Sequence, residues 1–529
     1  MGQRKLKMKL EYSYGEKPDV EYYDGDLNSI RTYFNYRRDN GLDKFLIDDT
    51  TWNDLSGDAI FKRINHGLSA SGEQYLYYLL RNPAIDKAEY EERAKLFKIM
   101  ETYPDLRLKL QVILAKLGRW RAARTCTVYQ PPSYEYKNMF IYIALSLAFL
   151  GSAVSLIFSL YLLPLFIGLF MYLPILHNNT VSGMYVDFVT INYSIAMLQA
   201  AKKVQKLSHQ ELNGIIFPCY DANKRMNAIS RIGAIPTKEI LGDFSVLINS
   251  FLLLDLIVFE LLKNMLGKHH KDIFLIHEIL GRLDSAIAVT SYRKRLPVYT
   301  EPHIDFDFQT VHLRAEGLVH PLIDNPIPND LDASSSILLT GSNASGKTTF
   351  LKTIALNTIF AQSICTVLGV SYTASAFRIF TSMAISDNIF TGESYFIAEI
   401  KSLKRITDAG ANEQPLLCVI DEVLRGTNTV ERIAASSEML MYLDNEMSLC
   451  IAATHDIELC ALLDSHYRLL HFEETVTWDG EVLFDYKVKD GPATTRNAIK
   501  LLGSMGFDKD LVIRANERAE RYGNEGKWS

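Results

Sequence analysis

A glycine-rich octamer in the C-terminal half of the chain has the spacing Gly-x-x-x-x-Gly-Lys-Thr. Its members, with the residue that follows, are Gly341, Ser342, Asn343, Ala344, Ser345, Gly346, Lys347, Thr348 and Thr349. Glycines let backbone N–H groups turn inward around phosphates, and the N-terminus of a following helix adds partial positive charge. The pattern therefore predicts a nucleotide site in which Lys347 reaches the β- and γ-phosphates and Thr348 supplies a hydroxyl to Mg²⁺.

Two adjacent carboxylates, Asp421 and Glu422, end an apolar run further along the chain. Asp421 is suited to bind Mg²⁺ directly or through water, and Glu422 to orient or deprotonate an attacking water. His455 follows a later apolar run, where it could sense the γ-phosphate or serve as a structural group. The chain has no Asn-Lys-x-Asp motif for reading guanine, so ATP is favoured over GTP.

The elements around these residues change character near Pro302. The first 300 residues carry apolar and charged residues at helical spacing, whereas short β-rich runs later alternate with helical ones. Continuous apolar runs at 336–340, 416–420 and 449–453 are typical of strands in a parallel α/β sheet. Runs at 474–477 and 482–488 flank Trp478-Asp479-Gly480, which predicts an antiparallel pair at the sheet edge.

A stretch without charges, residues 138–176, stands out from the helical part. As one helix it would be about twice as long as the ~30 Å hydrocarbon core of a bilayer is thick, so two antiparallel spans at 139–158 and 161–176 fit better. Basic residues on both sides place both flanks in the cytoplasm: Arg119, Arg121, Arg124, Lys137, Lys202, Lys203 and Lys206. The alternative is a hairpin buried in a large helical core. A second apolar stretch, 244–259, contains Asp255 and is interpreted as a buried helix of a soluble core.

The size and composition of the chain limit its number of domains and the class of protein to which it can belong. A chain of 529 residues implies two or three domains, and a net charge of −6 excludes a strongly basic nucleic-acid binder. The basic residues Arg4, Lys5, Lys7 and Lys9 are interpreted as a solvated tail, although they could contact phosphate or headgroups. Six cysteines without CxxC pairs or zinc spacing favour a reducing, cytoplasmic environment, and no apolar signal segment is expected at the start of the chain.

The motifs together resemble the MutS family of DNA mismatch-repair ATPases. The segment Asp421-Glu422-x-x-Arg425-Gly-Thr and the pair Thr454-His455 are similar to that family's motifs, as is Gly392-x-Ser394-x-Phe396. In the family, the serine matching Ser394 acts on ATP held by the opposite subunit, so the resemblance implies a homodimer; read alone, the segment is a helix cap. Weaker likeness extends over roughly residues 48–519.

The resemblance implies an α + α/β architecture. We expect an N-terminal segment (1–47), a helical core and lever region (48–300) with an inserted transmembrane hairpin (139–176), and an ABC-like P-loop ATPase domain (301–529). The N-terminal part is too short for a mismatch-recognition domain, and the hairpin occupies the place where levers lead to a DNA clamp. This pattern favours a membrane-anchored MutS-related subgroup without mismatch recognition.

Two functions remain open at this stage. The first is an ATP-driven dimeric switch at the inner membrane, with ATP and Mg²⁺ as cofactors, acting on DNA structures in repair or recombination. The second is a membrane-tethered mechanical ATPase that acts on protein or lipid without contacting DNA. A solute transporter is a distant third, because two spans per chain are too few to line a pathway in a dimer.

Overall fold

The computed structural model describes residues 2–124, 137–207, 209–232, 244–342, 345–383, 395–410, 414–476, 482–493, 499, 502 and 506–525. The chain divides into two compact units. The helical unit comprises Met1–Asp43, Ile64–Tyr78 and Lys95–Arg295, and the sheet unit comprises Lys44–Arg63, Leu79–Ala94 and Leu296–Ser529.

Between the N-terminus and Arg295, the described helices are Gln3–Ser13, Asp26–Ile30, Thr32–Asp39, Asp49–Asp54, Gly57–Ile64, Ala70–Leu80, Lys87–Thr102, Pro104–Leu117, Lys137–Ser155, Leu163–Gly183, Tyr185–Gln205, Asn213–Arg225, Asn227–Ile232, Phe244–Leu252, Leu254–Lys268 and His270–Arg295. Those that follow are Lys347–Ile364, Tyr395–Ala409, Thr429–Leu443, Ile457–Leu463 and Lys509–Glu525. Short 3-10 turns lie at Leu160–Leu162 and Gln210–Leu212.

The strands all lie in the sheet unit. They are β1 His303–Asp305, β2 Leu313–Leu318, β3 Asn329–Ala333, β4 Ile337–Thr340, β5 Ser371–Ser375, β6 Arg378–Ser382, β7 Leu416–Asp421, β8 Ser448–Ala453, β9 Arg468–Val476 and β10 Val482–Asp490. Six form one sheet in the order β10-β9-β4-β8-β7-β6, and four form a second in the order β1-β5-β2-β3.

The larger sheet confirms the parallel arrangement that the apolar runs predict. Strand β4 pairs in parallel with β8 and β9, and β7 pairs in parallel with β8 and β6. Strand β10 pairs antiparallel with β9 at the edge, while the predicted turn at 478–480 lies outside the described residues. Cys418 and Cys450 face each other on β7 and β8 as fully buried free thiols, as expected of small apolar groups.

Segments from the N-terminal part of the chain complete the sheet unit. The backbone N–H of Ala84 donates to the carbonyl oxygen of Gln362, and the side-chain amide of Gln362 donates to the carbonyl oxygen of Ala84, both at 3.0 Å. The Thr381 hydroxyl donates to Asp54 at 2.6 Å. Arg405 forms an ion pair with Asp48. These contacts bind residues 44–63 and 79–94 to the larger sheet and its helices, so neither unit is a continuous range of sequence.

In the helical unit, a buried carboxylate caps helix Ala70–Leu80. Asp284, on helix His270–Arg295, accepts hydrogen bonds from the backbone N–H groups of Leu68 and Ser69 and from the Ser69 hydroxyl, at 2.6–3.0 Å. A Cβ at Gly72 would lie 2.0 Å from Asp284 Oδ2, so only glycine allows this approach. Burial raises the pKa of Asp284 to about 6, against the lowering effect of those hydrogen bonds.

Replacing Asp284 with alanine should loosen this end of the helix, because two buried N–H groups would lose their acceptor. The local free energy of opening should fall by about 1–3 kcal/mol. Amide hydrogen exchange over residues 66–80, measured in detergent by mass spectrometry, reports the change. Asp221→Ala, at an exposed position on helix Asn213–Arg225, is the control and should leave exchange there unaltered. Unaltered exchange in Asp284→Ala would contradict the capping role.

The apolar run forms an antiparallel hairpin of helices. Helix Lys137–Ser155 and the segment Leu160–Gly183 are each long and apolar enough to cross a membrane by length and composition. The second helix begins with a turn at Leu160–Leu162 and continues to Gly183, beyond the predicted end at residue 176. Only 17% of the first segment and 11% of the second are buried in the protein. Most of their side chains are therefore exposed or only half-buried.

The second apolar stretch differs from its interpretation as one buried helix. It breaks at Leu253, which has a left-handed φ of 49°, into helices Phe244–Leu252 and Leu254–Lys268. Leu253 and Leu256 are buried with Leu169 and Leu173 of the hairpin, but Leu254 is 40% exposed. The first of these helices packs on the hairpin through Phe251, whose ring stacks on those of Phe149 and Phe170.

Candidate nucleotide site

The predicted phosphate-binding octamer follows the central strand of the larger sheet. The backbone leaves β4 at Thr340 and enters helix Lys347–Ile364 through Gly341 and Gly346, whose φ angles are 134° and 106°. A Cβ at Gly341 would lie 2.7 Å from the carbonyl oxygen of Phe472, so glycine is required there. Asn343 and Ala344 lie outside the described residues.

The Lys347 ammonium is turned into the loop. It donates hydrogen bonds of 2.5 and 2.7 Å to the carbonyl oxygens of Gly341 and Ser342. Burial lowers its pKa, although Glu422 and Asp421 act in the opposite direction. The loop therefore already concentrates positive charge at the N-terminus of an 18-residue helix, where anions are stabilised.

Thr348 and Asp421 meet at the carboxyl ends of the strands. The Thr348 hydroxyl donates to Asp421 Oδ2 at 2.5 Å, although the two residues belong to separate segments. Asp421 is buried at the end of β7, and Thr348 is exposed in the first turn of the helix. This contact brings together the two oxygen donors that the sequence assigns to Mg²⁺. The hard oxygen donors fit that ion.

Glu422 is held between two basic side chains. It forms an ion pair with Arg425, and its Oε1 lies 3.3 Å from Nδ1 of His455. Its backbone adopts a left-handed φ of 58°. Burial alone would raise its pKa, but hydrogen bonds from His455 and Arg425 outweigh burial and lower it to about 2. The hydrogen bond from Glu422 in turn raises the pKa of His455.

A cavity of about 550 Å³ lies beside the octamer. Gly346, Thr349 and Phe350 form one side, and Pro326, Ile327 and Tyr486 lie among its other lining residues. Tyr486 sits in a bulge between β9 and β10 with φ 51°, and its carbonyl oxygen accepts a 2.9 Å hydrogen bond from Asn329. The apolar and aromatic lining and the size suit a nucleobase with its ribose.

Two carboxylates near the octamer lie outside the set of predicted site residues, although the MutS-like segment that contains Ser394 also includes Glu399. Glu474, buried on β9, accepts a 3.1 Å hydrogen bond from the Ser342 hydroxyl. Glu399, on helix Tyr395–Ala409, accepts a 3.2 Å hydrogen bond from the backbone N–H of Arg425, in the loop that carries Glu422. Burial raises the pKa of Glu399, opposed by hydrogen bonds from the N–H groups of this loop. For Glu474, a carboxylate within a strand that also carries apolar residues is the signal that could have indicated it.

The structure thus brings together Lys347, Thr348, Asp421, Glu422 and His455 at one end of the sheet. Thr349 is exposed and lines the adjacent cavity, and the Ser345 hydroxyl donates to the Ser342 carbonyl oxygen at 2.8 Å. Ser394 lies outside the described residues, directly before helix Tyr395–Ala409.

Comparisons with known proteins concern this same region. Residues 337–522 match the family model for MutS domain V. The DNA mismatch repair protein MutS of Pseudothermotoga lettingae is 32% identical over 259 residues, which cover 47% of this chain and 31% of that protein. The protein of the same name from Fervidobacterium nodosum is 30% identical over 273 residues, covering 50% of this chain and 33% of the relative.

A further relative is DNA mismatch repair protein MutS 2 of Halobacterium salinarum. It is 32% identical over 233 residues, 41% of this chain and 26% of that protein. The chain thus spans about a third or less of the length of the curated relatives it matches. These similarities support membership of the MutS family for the part of the chain that the family model matches, residues 337–522.

Proposed function

We propose that the sheet unit is a P-loop ATPase domain that binds ATP with Mg²⁺ and hydrolyses it to drive a dimeric switch. The observation that carries the proposal is the contact between Thr348 and Asp421, which joins the octamer to the end of β7. Parallel sheets bind ligands at the carboxyl ends of their strands, and this contact lies at that edge.

The metal would be held by few protein ligands. Thr348 and Asp421 would bind it, and no group of three or more His, Cys, Asp or Glu side chains within the described residues could hold a metal ion. Mg²⁺ commonly takes one or two protein ligands and completes its shell with water and phosphate oxygens. When bound, it would neutralise charge on the β- and γ-phosphates.

The remaining residues bind or orient the reacting groups. Lys347 would exchange its bonds to the two loop carbonyl oxygens for bonds to phosphate, and the cavity beside Thr349 would hold the base. Hydrogen bonds from His455 and Arg425 keep Glu422 ionised, so this carboxylate would orient or deprotonate the attacking water. His455, 3.3 Å from Glu422, would sense the γ-phosphate through that carboxylate.

The proposed site is completed by a second copy of the chain. Ser394 would contact nucleotide held by the partner, and Glu399 lies one turn into the helix that follows it. Because Glu399 accepts from the Arg425 N–H, movement of that helix on dimer closure would be transmitted to the loop that carries Glu422.

Mixing two inactive variants tests this arrangement. Lys347→Ala chains combined with Ser394→Ala chains should regain part of the ATPase activity, because one of the two sites in a mixed dimer has every required residue. Lys347→Ala mixed with Glu422→Gln is the matched control. Those two residues belong to the same chain's site, so neither site is intact and no recovery is expected. No recovery in the first mixture, despite demonstrated heterodimers, would assign Ser394 to helix capping alone.

We further propose that DNA is the substrate of the switch. Support comes from the relatives, which are named DNA mismatch repair proteins, but they match this chain over only part of their length. Mismatch recognition itself is not proposed. Binding of the detergent-solubilised protein to duplex and branched DNA, from about 50 to 200 mM salt, should weaken steeply as phosphate contacts are screened. Nucleotide should alter the affinity.

Absence of DNA binding at the lowest salt, with ATP, with ADP and without nucleotide, would contradict this part of the proposal. The ATPase assignment would stand. The protein would then be a membrane-tethered mechanical ATPase that acts on protein or lipid.

The third part of the proposal is that the hairpin anchors the protein in the inner membrane with both flanks in the cytoplasm. Low burial supports it, because a hairpin inside a soluble core would be largely covered by protein. Met171 and Ile175, for example, are 67% and 59% exposed on the second helix. Lipid chains are the environment that such a surface of this length fits.

A further inference from the structure

Helix Phe244–Leu252 is attached to the middle of the hairpin. The Phe251 ring lies 4.8 Å from the ring of Phe170 and 5.3 Å from that of Phe149, with planes within 21° and 10° of parallel. Phe149 also stacks on Phe166 at 5.5 Å. One aromatic stack therefore joins both arms of the hairpin to this helix.

The stack places Phe251 at a defined depth. Phe149 and Phe170 both lie in the middle third of the two segments that could cross a membrane, Asn138–Ser155 and Leu160–Gly183. Any bilayer that these segments cross must therefore contain the Phe251 ring near its mid-plane.

The last carbonyl group of this helix also has a hydrogen-bond donor on the hairpin, as a carbonyl group surrounded by lipid requires. The Ser146 hydroxyl, on the first arm, lies 2.6 Å from the carbonyl oxygen of Leu252. Carbonyl groups at a helix C-terminus lack a partner within the helix, and hydrocarbon offers no water to replace one. A small hydroxyl side chain at a helix contact is a common solution inside membranes.

Polar residues follow this helix within three positions of its end. Leu253 breaks the helix, and Asp255 then lies 2.7 Å from Nε2 of His177 on the second arm. His177 is two turns from Phe170 along its helix, or about 10 Å, which places the polar pair towards the base of the hairpin. At nine residues, helix Phe244–Leu252 is about 14 Å long, less than half of the ~30 Å hydrocarbon core.

We infer that helix Phe244–Leu252 is a third membrane-embedded segment, inserted beside the hairpin without crossing the bilayer and surrounded there by lipid chains. The inference rests on the proposed membrane insertion of the hairpin. It assigns lipid contact to a part of the chain that composition alone favours as a soluble helix.

Lipid photolabelling of the intact protein tests the inference. The full chain is reconstituted in phosphatidylcholine and phosphatidylglycerol vesicles that contain a phosphatidylcholine with a diazirine at mid-chain. After photolysis, adducts are mapped by mass spectrometry of peptides. We expect adducts both on the hairpin, residues 138–176, and on residues 244–254. Adducts on the hairpin alone would overturn the inference and leave the anchor intact. Their absence from both segments would overturn the anchor and the inference together.

Two matched variants test the docking contact. Ser146→Ala removes the partner of the Leu252 carbonyl, so adducts on residues 244–254 should fall severalfold while those on the hairpin persist. Ser152→Ala is the control, because this buried hydroxyl donates at 2.8 Å to Phe149 of its own helix, whereas Ser146 contacts Leu252 in addition to Tyr142 of its own helix. It should leave the labelling pattern unchanged. The same pattern in both variants would refute the role given to Ser146.

Discussion

Replacing Glu422 with glutamine is expected to leave ATP bound and to lower turnover by about 10²-fold or more. The amide preserves volume and can still accept a hydrogen bond, but it lacks the negative charge that polarises the attacking water. The contacts with Arg425 and His455 would also weaken, since both favour the ionised carboxylate. Nucleotide affinity should persist because Lys347, Thr348 and Asp421 remain in place.

Single-turnover hydrolysis and nucleotide retention, measured on the same preparation, separate the two effects. Glu438→Gln, an exposed carboxylate on helix Thr429–Leu443, is the matched control and should hydrolyse ATP normally. With a pKa of about 2, Glu422 stays ionised throughout the neutral range, so a loss is expected at both pH 6 and pH 8. Unchanged turnover in Glu422→Gln would refute the assignment.

Much of this site could be predicted from the sequence because its determinants are local. The octamer and the apolar strand before it are contiguous, and continuous apolar runs predict parallel strands buried on both faces. Carboxyl ends of parallel strands share one edge, so Lys347, Asp421 and His455 had to lie near one another once the strands were identified. The structure places all three there.

Long-range contacts explain what could not be predicted. The joining of residues 44–63 to the larger sheet depends on single pairs such as Thr381 with Asp54, which leave no periodic pattern in the sequence. The same holds for the cap that Asp284 places on a helix more than 200 residues away. The cavity beside Thr349 is lined in part by Tyr486, in a β-bulge that only the pairing of β9 with β10 reveals.

The interpretation of residues 244–259 as a single helix was wrong, because the chain breaks at Leu253. Asp255 favours a soluble core for this stretch, because isolated charges are costly in lipid. The structure instead ends the first helix before this residue and pairs Asp255 with His177 of the hairpin. A charge that has a partner and follows a helix break does not argue against lipid contact for the residues before it.

A charge placed in the middle of the hairpin should strongly weaken the attachment of the protein to the membrane. Met171 is 67% exposed near the centre of Leu160–Gly183, so Met171→Arg should cost about 2.5–3.5 kcal/mol at mid-bilayer depth and release or destabilise the protein. Leu163→Arg lies close to the start of that segment, where the side chain can reach the interface, and should cost less. Membrane flotation of the two variants beside the parent protein measures the difference.

Cysteine labelling tests the topology in which both flanks of the hairpin lie in the cytoplasm. Cysteines placed near Lys137 and at Tyr185, just after the second segment, should react only from the cytoplasmic side, whereas one at Ser159, between the two helices, should react only from the outside. The five described native cysteines are buried and should contribute little background.

Deletion of residues 139–176 should leave a soluble ATPase whose turnover no longer responds to lipid, because the hairpin is the element that would couple the ATP cycle to the membrane. Recovery of the intact protein from the soluble fraction without detergent would show instead that the hairpin is covered by protein, and the membrane assignment would fail.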